Sequence, residues 1–253
     1  MLGIHPYTQP GTSPTRGWSV LPVFLMALVI VTIGETTSAA ERVSVEVGTD
    51  AVSRYNWRGL DFGDALSIQP YLRCEYQGLK GGFWGSYSSD FEEIDTWISY
   101  TVSSEHSLSV TGIVTGYYFP TAGIRLFNFH GADHPDGPGA HLLEAGVSVS
   151  GPARIPLTVS GYVNVHNDPG NNTYVQLDYA ATQGATALAF SIGAALGSTK
   201  NPAAYGTDGF AVINIGAKGS RKLKLDQSEI SLSTAVIVNP RAEVAYLVLG
   251  VGI

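Results

Sequence analysis

Charged residues in this chain fall on alternate positions of several segments, and that spacing is what could do chemistry. Glu46, Asp50, Arg54 and Arg58 recur on one parity of the stretch 43–58. In an extended chain, residues i, i+2 and i+4 share a face. Arg73 and Glu75 hold the same parity in the next segment, and Asp95, Glu144 and Asp178 in later ones. Side chains of both signs on one face can pair across strands and fill a narrow interior. They can also line a water channel as a constriction that sorts solutes. The residues leave both open.

Other constellations fall short of a site. Ser160 and His166 share a parity, with Asp168 nearby. Six residues of strand separate Ser160 from His166 by about 20 Å, too far for one hydrogen-bonded triad. His130, Asp133 and His134 in FHGADHPDG could approach a metal, but no cysteine supports them, and a solvated loop is expected. Asn171-Asn172-Thr173 fits the glycosylation pattern and reads as a loop tip. No catalytic residue, cofactor or metal is expected, and the chain does not read as an enzyme.

The elements that must position the charges are strands. Period-two alternation begins at Val43 and recurs over 67–76, 79–87, 94–102, 108–118, 141–149, 157–165, 173–179, 188–196, 211–217, 230–238 and 245–253. With 43–57, that makes about twelve strands, an even number of the kind bacterial single-chain barrels use. Connections alternate between short ones (QGLKG, SSEH, GPARIP, ATQGAT) and longer ones, Pro120–Gly139 being the longest; the SRKLKLDQSE link is less tidy. The apolar face of all these segments carries no Asp, Glu, Lys or Arg. A lipid-facing Arg or Lys costs about 2–4 kcal/mol at mid-bilayer, so such a face is expected to be empty of charge. A soluble lipocalin-like barrel or sandwich would turn its charges outward instead. The expectation is an all-β, transmembrane, antiparallel up-and-down barrel whose lumen holds Glu46, Asp50, Arg54, Arg58, Arg73, Glu75, Asp95, Glu144 and Asp178.

Composition agrees. Charged residues make up 14% of the 253 residues, against an ordinary level of about 25%, and there are 30 glycines and 13 tyrosines. The net charge of −7 argues against a nucleic-acid partner. Cys74 is the single cysteine, which excludes an internal disulfide and reads as a small hydrophobe. Residues 1–40 read as a cleaved signal peptide: Arg16, then the apolar run 18–33, then small residues at Ser38 and Ala40. The alternative, an uncleaved anchor, is disfavoured because the run is shorter than the roughly 20 residues a spanning helix wants, and Pro22 interrupts it. Residues 41–253 then form the barrel, placed in the outer membrane of a Gram-negative-type bacterium.

The stretch 52–70, VSRYNWRGLDFGDALSIQP, links the first two strands. Its alternation extends the first strand to Trp57, making Tyr55 and Trp57 interfacial aromatics at the outer rim, with Tyr118 in a like position, and putting Gly59–Leu66 outside the cell. Pro120–Gly139, with Phe127 and Phe129, reads as an exposed loop or an inward plug. The residues Trp57-Arg58-Gly59 and Ile68-Gln69-Pro70, with GFWGSY at 82–87 and VNPRAEVAYLVLGVGI at 238–253, resemble the TorF-type porin family of bacterial outer-membrane proteins. The resemblance implies a porin-like barrel and supplies no substrate. Ile253 departs from the aromatic end usual in such barrels. The functional expectation is a passive channel for small polar solutes, with outer-membrane lipids and the barrel assembly machinery as further partners. The alternatives are a non-conducting barrel acting through its external loops in adhesion, reception or structure, and an outer-membrane enzyme.

Overall fold

The computed structural model describes residues 43–103, 108–226 and 228–253. The signal segment expected over 1–40 lies outside the described residues. The expected barrel is present. Twelve antiparallel strands close on themselves in sequence order, and a separate two-stranded hairpin sits in the first long connection. The barrel strands are β1 (Ser44–Val52), β4 (Ser67–Tyr76), β5 (Leu79–Tyr87), β6 (Glu92–Ser103), β7 (Ser109–Tyr118), β8 (His141–Ser150), β9 (Leu157–His166), β10 (Thr173–Gln183), β11 (Thr186–Leu196), β12 (Phe210–Leu225), β13 (Ser228–Asn239) and β14 (Val244–Gly252). The hairpin is β2 (Asn56–Trp57) with β3 (Leu60–Asp61).

Closure is made by β1 against β14, with Asp50 opposite Gly252 and Val52 opposite Gly250. Thr49 and Ile253 exchange backbone hydrogen bonds of 3.1 and 3.0 Å beyond that ladder. Closing the sheet removes its unpaired edges. Short turns, such as Gln77-Gly78 between β4 and β5, gather at the end where β1 begins. The long connections 53–66, 119–140, 167–172 and 197–209 gather at the other.

The two faces are inverted relative to a water-soluble barrel. Val45, Val47, Ile98, Val147, Val159, Leu177, Ile192, Ile215, Val236 and Leu249 are exposed on the outside. Cys74 is exposed too, on the Leu72 parity, opposite Val45 of β1. Ser67, Gln69, Ser86, Glu93, Ser99, Glu144, Ser160, Asn164 and Asn214 are buried inside. On the described strands only Glu92 and Arg221 bring charge to the outer parity, one near each end. Glu92 pairs with Tyr87 of β5 and Arg221 with Leu232 of β13.

Two sequence expectations need correction. SRKLKLDQSE is not a loose link: β12 runs 16 residues to Leu225 and pairs through Leu225–Ser228 with β13. The first strand does not reach Trp57. It ends at Val52, which pairs with Ser67 of β4, and the chain between them turns inward. A small apolar core results inside the barrel near the long-loop end, where Tyr174, Ala195, Tyr205 and Ile213 pack with Trp57 and Leu60 of the hairpin.

Candidate functional site

The site is built around the tip of that hairpin. Asn56 pairs with Asp61 and Trp57 with Leu60, leaving Arg58-Gly59 as a two-residue turn. Both tip residues have positive φ, 53° at Arg58 and 80° at Gly59, as a type I′ turn demands. Glycine takes that conformation freely, whereas an arginine held in it costs roughly 1–2 kcal/mol. Gly59 has a second reason to be glycine: a Cβ there would fall 1.9 Å from the Ile213 carbonyl oxygen of β12. The Asn239 side chain donates to the Gly59 carbonyl at 3.1 Å. The hairpin is therefore pressed against the barrel wall.

The Arg58 side chain is held from several sides. Its Nη1 and Nη2 donate to the two carboxylate oxygens of Glu144 on β8, at 2.5 and 2.9 Å. Nη1 also donates to the Tyr205 hydroxyl at 2.7 Å. The guanidinium carbon lies 4.2, 4.3 and 4.5 Å from the ring centroids of Trp57, Tyr162 and Tyr174. Tyr117 donates to Glu144 at 3.0 Å. Side-chain exposure is 9% at Arg58 and 3% at Glu144. The charge is desolvated, and it is met by a bidentate carboxylate and by ring faces, the two partners a guanidinium uses best. Tyr174 reaches it because a glycine, Gly193, stands where a Cβ would lie 1.9 Å from the Tyr174 hydroxyl.

Behind the hairpin tip lies a cavity of about 640 Å³. Trp57, Arg58, Tyr117, Glu144, Tyr162 and Tyr174 form its wall on the hairpin side; Asp178 and Lys218 carry further charge on it, and the Asp95 carboxyl lines it too. A polar track descends one wall. Asn214 donates to Tyr174, Tyr174 to Gln176, and Gln176 to Asp178. Toward the short-turn end the inner face is open to water: the ion pairs Arg73–Glu46 and Lys80–Glu75 have side chains 44–56% exposed.

The nine charged residues expected to line the lumen fall into separate groups. Glu46 pairs with Arg73 at 3.6 Å, and Glu75 with Lys80 at 3.1 Å. Asp50 faces Gln69 of β4 in the same region. Arg54 bonds Asp61 at 2.8 Å and Asp64 at 3.0 Å, and lies over the Tyr246 ring. Asp95, Glu144 and Asp178 share the cavity with Arg58, which reaches it on the hairpin and not on a strand.

Tyr55 and Trp57 are not rim aromatics. Tyr55 is 7% exposed and packs on Phe62, Trp84 and Phe91; Trp57 packs on Tyr117 and Tyr205. The reason is the inward turn after Val52, which breaks the alternation that would have carried both outward. Gly59–Leu66 likewise begins inside the barrel and not beyond it. Tyr118 does stay on the outer parity of Val110 and Val114 at the end of β7, stacked on His141.

The hairpin, and not Pro120–Gly139, is the segment that enters the lumen. Phe127 is 84% exposed and Phe129 stacks on His141. His130 and His134 stack on each other, and Asp168 is taken up by Asn164, Asn172 and Asn201. Sequence reasoning missed Tyr117, Tyr162, Tyr174 and Tyr205 as Arg58's surroundings. The one available signal was the dipeptide Arg58-Gly59 between pairable Asn-Trp and Leu-Asp, a short-hairpin pattern.

No family profile matches the chain, and no curated protein matches it either.

Proposed function

We propose that this chain is an outer-membrane β-barrel, exported by its N-terminal segment, that passes small polar solutes through a lumen narrowed by the 53–66 hairpin. The observation that carries this reading is the inversion of the faces. Exposed valines, leucines and isoleucines cover the outside, while carboxylates, arginines, serines and asparagines face inward. Water as outer solvent would penalise that surface; hydrocarbon favours it. Barrel strands of 9 to 12 residues, with β12 longer at 16, suit the 9–11 residues a tilted strand needs to cross a bilayer. The outer belt and the water-exposed charges of the short-turn half support a polar path through an apolar shell. The kinship with TorF-type porins suggested by the sequence belongs with this proposal.

Planar-bilayer recording of the refolded protein tests it. Discrete conductance steps are expected, smaller than those of an unplugged porin run in parallel. Silence where that porin conducts would leave the second reading, a non-conducting barrel acting through its loops. The hairpin's close fit in the lumen is the observation that favours that second reading.

A further inference from the structure

We infer that the barrel lumen contains a binding site for small organic cations bearing a guanidinium group, and that Arg58 occupies this site as a tethered ligand. The inference rests on the lumen being a solute path and names the class of solute.

The groups around the Arg58 guanidinium do not depend on the hairpin. Glu144 and Tyr162 stand on neighbouring strands β8 and β9, Tyr174 on β10, and Tyr205 on the 197–209 connection. Of the cage, only Trp57 travels with Arg58. With the arginine withdrawn, the wall still offers a carboxylate positioned for a two-pronged donor and ring faces flanking a flat cation. The arginine is delivered from a left-handed backbone position that ordinary turns give to Gly, Asn or Asp. The residue type is thus explained by what its side chain reaches and not by the turn that carries it.

The cavity beyond the guanidinium supplies room for the rest of a solute. At about 640 Å³ it falls within the roughly 300–1,000 Å³ of small-molecule pockets. Its charge is suited to a cation. Once Arg58 is out, the carboxylates of Glu144 and Asp178 outnumber the one lysine, Lys218, among the described residues of the wall. One carboxyl oxygen, Asp95 Oδ1, is buried with no hydrogen-bond partner among the described residues and offers a further polar contact away from the cage. An anion would meet that field unfavourably. A simple ammonium would gain the charge but lack the planar fork that Glu144 and the rings accept. A guanidinium solute entering from the water-exposed half would compete with Arg58 and free the hairpin.

The test uses the refolded full-length barrel in detergent micelles, titrated with methylguanidinium, methylammonium and the neutral N-methylurea. Fluorescence of Trp57 and Trp97, both on the cavity wall, reports occupancy. A tethered competitor acts at an effective concentration on the order of millimolar and lowers apparent affinity by the fraction of time the site is free. Arg58→Gly removes the competitor and suits the positive φ. It is expected to bind methylguanidinium at least about tenfold more tightly than the wild type. Arg58→Asn, which also tolerates that backbone, repeats the test if the glycine variant refolds poorly. Glu144→Gln on the Arg58→Gly background is expected to weaken methylguanidinium about tenfold, the loss of one charged hydrogen-bond pair. Equal responses to methylguanidinium and N-methylurea overturn the inference, as does an Arg58→Gly affinity no better than wild type. Binding is read without conduction, so a silent bilayer with intact binding refutes only the channel. Conductance without guanidinium selectivity in binding refutes only this site.

Discussion

Replacing Glu144 by alanine should release the hairpin. The substitution leaves the Arg58 guanidinium, 9% exposed, without its carboxylate, and removes the acceptor of the Tyr117 hydroxyl. Breaking a buried pair from one side costs about 3–5 kcal/mol, because the remaining charge is stranded. The hydrogen bonds that otherwise tie the hairpin to the wall are smaller: Asn239 to the Gly59 carbonyl, worth about 1 kcal/mol, and Arg58 to the Tyr205 hydroxyl, worth about 1.5–3 kcal/mol. Ring contacts add to these, but the stranded charge is hydrated most fully by leaving with the hairpin. At about 1.4 kcal/mol per decade, the open population should rise by roughly two to four orders of magnitude. The assay places a cysteine at Leu60 in a Cys74→Ser background and follows modification by a membrane-impermeant maleimide. Labelling should be slow with Glu144 and about a hundredfold faster or more with alanine there. The double variant Arg58→Gly/Glu144→Ala strands no charge and should label more slowly than Glu144→Ala alone. Identical labelling rates for Glu144 and alanine would refute the latch.

Three further outcomes follow from the same structure. Gly59→Ala should also loosen the hairpin, since its Cβ meets the Ile213 carbonyl and its φ of 80° disfavours alanine; faster Leu60→Cys labelling checks it. Val236→Arg on the outer face should cost about 2–4 kcal/mol of stability in lipid vesicles, measured by urea titration, whereas a barrel facing water would accept it at little cost. The Asp168 carboxyl is buried, which pushes its pKa up. Hydrogen bonds from Asn164, Asn172, Asn201 and the Gly170 amide outweigh that and hold it below the usual carboxylate value. A lowered folded-state pKa gives stability that is present above the unfolded value of about 3.9 and lost as pH falls through the folded value. The tie between the 167–172 and 197–209 connections should therefore loosen only in acid below about pH 4, and Asp168→Asn should weaken it at neutral pH. Hydrogen exchange across the two connections reads both effects.

The barrel was legible in the sequence because its signal is redundant. Alternation, short turns and an uncharged face repeat over many segments, and an error in one leaves the rest standing. The misplacement of 219–225 shows the limit: Gly-Ser-Arg-Lys-Leu-Lys-Leu is too polar to look like a membrane strand, and its pairing with β13 beyond the apolar belt is what orders it. The hairpin was illegible for a different reason. Ser53, Tyr55 and Trp57 continue the outward parity of β1, and an aromatic ring suits a membrane rim as well as a packed plug. Nothing local announces that the chain bends at Val52. The inward direction of Arg58 was legible, but its partner was not: Glu144 lies 86 residues away, and Tyr205 sits in a loop without periodicity.

The most direct test removes the hairpin. Val52 and Ser67 are opposite one another in adjacent strands, so an Asn-Gly turn can replace residues 53–66 and leave the barrel closed. Single-channel recording of this variant beside the wild type should give a several-fold larger unit conductance, because the long-connection half of the lumen loses its plug. Equal conductance in the two proteins, or silence in both, would contradict a polar lumen constricted by the 53–66 segment.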